Sequence, residues 1–93
     1  MPKIIAVGEA EDVKKWEEDF AGHISLFKSQ TIRSPIRYGT HEEGNEVAIL
    51  FDVESVEAYL TGFESDETAD AMKHDGIKKD TVKLFILDGE LEF

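Results

Sequence analysis

Few residues in this 93-residue chain can do chemistry: three histidines, two tyrosines and one tryptophan, with no cysteine. His23 is the most informative, because it stands between Phe20 and Phe27 at helical spacing on an otherwise apolar stripe. An imidazole in such a place can act as a general base toward a bound molecule, or serve as a hydrogen-bonded wall residue. His74 falls in the last turn of a second helical stretch, where the carbonyl ends favour a cation; capping is its plain role, ligation of a metal or haem its sharper one. His41 lies beside a hairpin and reads as a solvated surface residue.

A metal site would need His23, His74 and a carboxylate to converge. No HxH, HxxxH or HExxH spacing brings them together, so no metal is expected. There is no GxGxxG or P-loop, and no serine in a nucleophile-elbow context, so the chain is expected to work without a cofactor. The aromatic residues are the other resource. Trp16, Phe20, His23, Phe27, Tyr38, Tyr59, Phe63 and His74 are the candidate walls of an apolar ligand pocket, the tyrosines supplying polar tips for orientation.

These side chains must be held by a small acidic scaffold. Lys and Arg number 10 against 21 Asp and Glu, a net charge of −11, while 41% of the residues are hydrophobic. The balance disfavours nucleic acid and anionic membranes, which need a basic surface. No apolar run approaches the roughly 18 residues of a membrane span. The first ten residues resemble neither a signal nor a transit peptide, so residues 1–93 are expected to form one cytoplasmic domain.

An internal echo organises the chain. Displaced by 43 positions, Ile4-Ile5-Ala6-Val7 falls on Val47-Ala48-Ile49-Leu50, Trp16 on Tyr59 and Phe20 on Phe63. Each half reads as strand, acidic turn, cap and amphipathic helix. Asp12 caps a helix predicted over 12–27, with Val13, Trp16, Phe20, His23, Ile24 and Phe27 as its buried stripe. Pro35 opens an edge strand over 36–41, and Glu43-Gly44-Asn45-Glu46 makes a hairpin whose Gly and Asn tolerate positive φ. Ser55 starts a second helix, which Gly62 and Glu64-Ser65-Asp66 interrupt; Ser65 restarts a helix that buries Ala69 and Met72 and stops at Gly76. The last strand is expected over 82–87.

The order βαββαβ is the ferredoxin-like α+β plan, with both helical stretches on one face of a four-stranded antiparallel sheet. Yet the strands at 4–7, 47–51 and 84–87 are continuously apolar, the pattern of strands covered on both faces. A second copy of the chain is the simplest cover, so a homodimer through the open sheet face is expected.

A ferredoxin-like chain of this length with doubly apolar strands resembles the dimeric α+β barrel superfamily, including antibiotic-biosynthesis-monooxygenase-like and stress-responsive barrel domains. The Trp16, Phe20, His23 helix and the helix break at Phe63-Glu64-Ser65-Asp66-Glu67 carry the resemblance. It implies two sheets facing each other and a pocket between sheet and helices, catalytic in some members only. Two function classes follow. One is a non-catalytic ligand-binding or structural dimer, which the thin polar inventory of the pocket favours. The other is a cofactor-independent oxygenase or cyclase acting on a small apolar or aromatic metabolite, with His23 moving the proton.

Overall fold

The elements of the computed structural model, which describes residues 1–41 and 43–93, run β1 (Lys3–Ala10), α1 (Val13–Phe20), α2 (Ile24–Ser29), β2 (Ile32–Thr40), β3 (Glu46–Val53), α3 (Val56–Phe63), α4 (Asp66–Asp75) and β4 (Ile77–Leu87). The repeat is visible in these bounds. β3 begins and ends 43 residues after β1, and α3 does the same relative to α1. Both strands alternate buried and half-buried positions in the same order, and both helices open on a side-chain cap. Asp12 accepts from the Lys15 backbone N–H at 3.2 Å, and Ser55 accepts from that of Ala58 at 3.1 Å.

The sheet has the order β2-β3-β1-β4 with every neighbouring pair antiparallel, so the fold is the ferredoxin-like βαββαβ α+β plan. β2 is an edge strand, where Pro35 forfeits no ladder bond in the interior. Side-chain parity divides the sheet. Ile4, Ala6 and Ala10 on β1 share a face with Val47, Ile49, Phe51 and Val53 on β3, and on this face lie the helices. Phe51, Ile4 and Val53 are sealed there completely, packed with Tyr59 and Ile32; a second cluster joins Ala10, Trp16, Phe20 and Val47.

The opposite face carries Ile5 and Val7 of β1, Ala48 and Leu50 of β3, and Phe85 and Leu87 of β4. No described element covers it, and Phe85 and Leu87 remain 51% and 44% exposed. No described helix is long and apolar enough to cross a membrane.

Several local expectations are corrected. The helix predicted over 12–27 is two helices, because the chain turns at Ala21-Gly22-His23 and Ile24 is consequently an exposed residue rather than part of the stripe. α4 fully buries Thr68 and Asp75, while Ala69 and Met72 are only half-buried. β4 starts five residues earlier than expected, at Ile77, and accommodates its extra length through a register shift opposite Val7–Glu9. Among the described residues only Thr31 and Gly76 have positive φ, so the hairpin at 43–46 does not draw on that freedom at Gly44 or Asn45.

Candidate functional site

Two helix ends build the site. At the end of α1 the Gly22 N–H donates to the Asp19 carbonyl at 3.0 Å and the His23 N–H to that of Phe20 at 3.2 Å, closing the helix in a tight turn. α2 then leaves in a new direction with His23 at its first flanking position. At the end of α4 Gly76 adopts φ +77°, a left-handed stop that spares a side chain the strain. That stop leaves Asp75 as the last helical residue, with its carboxylate buried and facing the α1–α2 turn.

The two ends meet side chain to side chain. His23 Nε2 lies 2.9 Å from Asp75 Oδ1, and His74 Nδ1 lies 3.1 Å from the same oxygen. An ionised carboxylate can only accept, so His23 donates from Nε2 and its lone pair is on Nδ1. Nδ1 has no hydrogen-bond partner among the described residues, and no described buried side-chain nitrogen or oxygen is left unsatisfied, so Nδ1 remains accessible. Next to this pair, Lys15 Nζ bridges Asp19 Oδ2 at 2.6 Å and the His74 carbonyl at 2.5 Å. The hydrogen bond with Asp19 raises the Lys15 ammonium above its usual range and holds the Asp19 carboxyl below its own.

His23 and Asp75 form part of the wall of a cavity of about 110 Å³ between the sheet and the helices. Trp16, Phe20, Phe27, Tyr59 and Phe63 line it together with aliphatic residues of the sheet and helices such as Ile49 and Met72, with Gln30 and Thr68 as further polar groups. Phe20 stacks on Trp16 at 4.8 Å between ring centres and meets Phe27 at 5.6 Å, while Tyr59 lies between Phe51 and Phe63. Gln30 Nε2 donates to Thr68 Oγ1 at 2.6 Å, and Thr68 in turn donates to the Gly62 carbonyl at 2.7 Å. The Tyr59 hydroxyl finds no partner among the described residues, and burial pushes the phenol up to about 12.

Six of the eight expected pocket residues therefore line one cavity: Trp16, Phe20, His23, Phe27, Tyr59 and Phe63. The other two do not. Tyr38, on the edge strand, sets its ring edge-on against Trp16 and Phe20 at 5.7 and 5.5 Å from outside and is half-exposed. His74 points to solvent, its side chain 66% exposed. The expectation that His23, His74 and a carboxylate would stay apart is also corrected, because the turn before α2 and the end of α4 bring all three together. Local spacing rules see ligands on one element and miss this arrangement.

Sequence reasoning missed Asp75, Gln30 and Thr68. Asp75 had a signal: an acidic residue in the last turn of a helix, directly before its glycine stop, opposes the helix dipole and calls for a partner.

A chain from Bordetella bronchiseptica described as a candidate antibiotic biosynthesis monooxygenase superposes with a TM-score of 0.73 at 13% identity, covering 97% of each chain. The chain has the antibiotic-biosynthesis-monooxygenase-like fold. SnoaB from Streptomyces nogalater, a cofactor-independent oxygenase, shares this monooxygenase-like fold with a TM-score of 0.66 at 9% identity, over 98% of this chain and 93% of that one. A protein from Arabidopsis thaliana matches over 100% and 99% of the two chains, with a TM-score of 0.65 at 14% identity. No family model matches the sequence, and no curated protein does. Identities this low carry the monooxygenase-like fold across and leave activity to be argued from the site.

Proposed function

We propose that this chain is one subunit of a homodimeric α+β barrel that binds a small, largely apolar molecule between sheet and helices, where His23 takes a proton from it. The observation that carries this reading is the His23–Asp75 hydrogen bond at the wall of the apolar cavity. A general base needs an unshared lone pair, a fixed ring and a partner for the cation it becomes. His23 has its lone pair on Nδ1, Asp75 fixes the ring through Nε2, and the same carboxylate offsets the imidazolium charge.

The ligand class follows from the lining. Aliphatic and aromatic side chains make up most of the walls, so the bound part is apolar and its acidic proton belongs to a phenol, an enol or an activated C–H. At about 110 Å³ the cavity is smaller than the roughly 150 Å³ that holds benzene, so it takes in the reacting end of a small molecule while the rest extends through the open side of the pocket. Removing a proton from such a molecule gives an electron-rich anion, the species from which oxygenation without a cofactor can start. The oxygenase activity of SnoaB is compatible with this order of events.

Binding without chemistry is the second reading. It is favoured by the Gln30–Thr68–Gly62 chain, which commits two of the cavity's polar side chains, Gln30 and Thr68, to the protein itself.

The dimer rests on the uncovered face. Ile5, Val7, Ala48, Leu50, Phe85 and Leu87 form an apolar patch on the side of the sheet away from the helices, and a second copy offers the same patch about a two-fold axis. The cytoplasm is the compartment we propose, consistent with a chain that uses no cysteine. Native mass spectrometry of protein taken directly from the producing cell tests both parts. A two-chain species carrying a small organic adduct supports the reading; single chains without one count against it.

A further inference from the structure

We propose that His23, His74 and Asp75 form a binding site for a divalent transition-metal ion of the zinc class, and that occupancy of this site disables His23 as a base. One ring nitrogen of His23, one of His74 and one Asp75 oxygen all lie within 4.8 Å of one another, and the nitrogens that contact Asp75 Oδ1 are His23 Nε2 and His74 Nδ1. Around a tetrahedral zinc ion with bonds of about 2.0–2.1 Å, neighbouring donors stand about 3.3 Å apart. The two contacts to Asp75, at 2.9 and 3.1 Å, are already close to that spacing. Only the two imidazoles must approach, by at most about 1.5 Å from the 4.8 Å limit. His74 can supply the movement because its side chain is 66% exposed.

The donor set selects the ion. Two imidazoles and a carboxylate suit zinc, nickel or copper, whereas magnesium and calcium prefer oxygen throughout. Asp19 Oδ2 lies 3.9 Å from His74 Nδ1, which adds a second carboxylate beside the site. Two carboxylates against the one Lys15 ammonium leave the surroundings able to accept a dication. The exposed side of His74 gives the ion an entry path and leaves a coordination position open to water.

Occupancy has a consequence for the neighbouring cavity. The ion needs the lone pair of His23 Nε2, so the imidazole proton must sit on Nδ1. That tautomer has no free nitrogen to accept a proton. The site shares His23 and Asp75 with the proposed proton transfer, but its existence does not depend on that reading.

The test is calorimetric titration of the chain with zinc chloride in excess magnesium, which occupies the exposed carboxylates. About one zinc ion should bind per chain, with at least about tenfold weaker binding in both His74→Ala and Asp75→Asn and no change in His41→Ala. Because His74 is on the surface, its variant keeps its thermal melting curve, so a loss of zinc there is not a loss of fold. Absence of saturable zinc binding to the wild type, or equal binding by His74→Ala, overturns the proposal. Neither result bears on the proton transfer, which is read without zinc.

Discussion

His23 and Asp75 are 52 residues apart in the chain and 2.9 Å apart in the fold, and each owes its position to a glycine-marked helix end. The turn at Gly22 swings the imidazole out of the α1 axis, while the stop at Gly76 ends α4 directly after the carboxylate. An acidic residue at a helix C-terminus is ordinarily unfavourable, and two imidazole donors on one oxygen relieve it.

That redundancy bounds the cost of removing the base. In His23→Ala, Asp75 keeps the donor from His74 at 3.1 Å, so no buried carboxylate is stranded. Urea denaturation should show a loss of no more than about 2 kcal/mol. A loss near the full stability of the domain would mean that His23 is a packing residue.

Tyr59 sets a stability change at high pH. Its phenol ionises near 10 in the unfolded chain and about 12 in the fold, because burial disfavours the phenolate. Between those values the unfolded state holds fewer protons than the native state, so stability falls as pH rises and is fully present below pH 10. The contribution is about 2–3 kcal/mol at most. Wild type should lose more stability than Tyr59→Phe between pH 10 and 12, measured by denaturant titration. Parallel curves for the two would contradict the desolvation of the Tyr59 side chain.

Gly62 lies inside α3, where alanine would ordinarily gain up to about 1 kcal/mol. An added Cβ would stand 2.9 Å from Gln30 Cγ, and Gln30 is buried with its amide committed to Thr68. Displacing it breaks a buried hydrogen bond at a cost of about 1–3 kcal/mol. Gly62→Ala should therefore lower the thermal midpoint; a rise would show that Gln30 yields easily.

Leu50 is central on the open face, paired with Ile5 on one side and Arg37 on the other. Leu50→Asp puts a carboxylate into the proposed dimer interface, while Arg37 across the strand offsets its charge within the subunit. Light scattering should give a dimer mass for wild type and a monomer mass for the variant, with unchanged far-ultraviolet circular dichroism. A monomeric wild type at micromolar concentration sinks the dimer.

The parts of the fold legible in the sequence are those fixed by neighbours in the chain. Asp12, Ser55 and Ser65 cap helices through hydrogen bonds spanning three residues, and Gly76 stops α4 by its own φ. The repeat could be read because strand and helix periods recur after 43 residues. The break at Gly22 was not readable, since Trp16, Phe20, His23 and Phe27 keep helical spacing across it and periodicity sees no interruption. Asp75 in the cavity wall, Tyr38 outside it and the three-residue cluster depend on how separate elements pack, which spacing along one element does not encode.

The most direct test of the central claim uses p-nitrophenol, a single-ring acid whose phenolate absorbs visible light. Mixed with the protein at a pH where the free compound is mainly protonated, it should bind in the cavity and show an increased phenolate fraction. His23→Ala and Asp75→Asn should lose that increase while His74→Ala keeps it. If wild type fails to bind the probe, or if the phenolate fraction is the same in His23→Ala as in wild type, His23 is not a base acting on a ligand in this cavity.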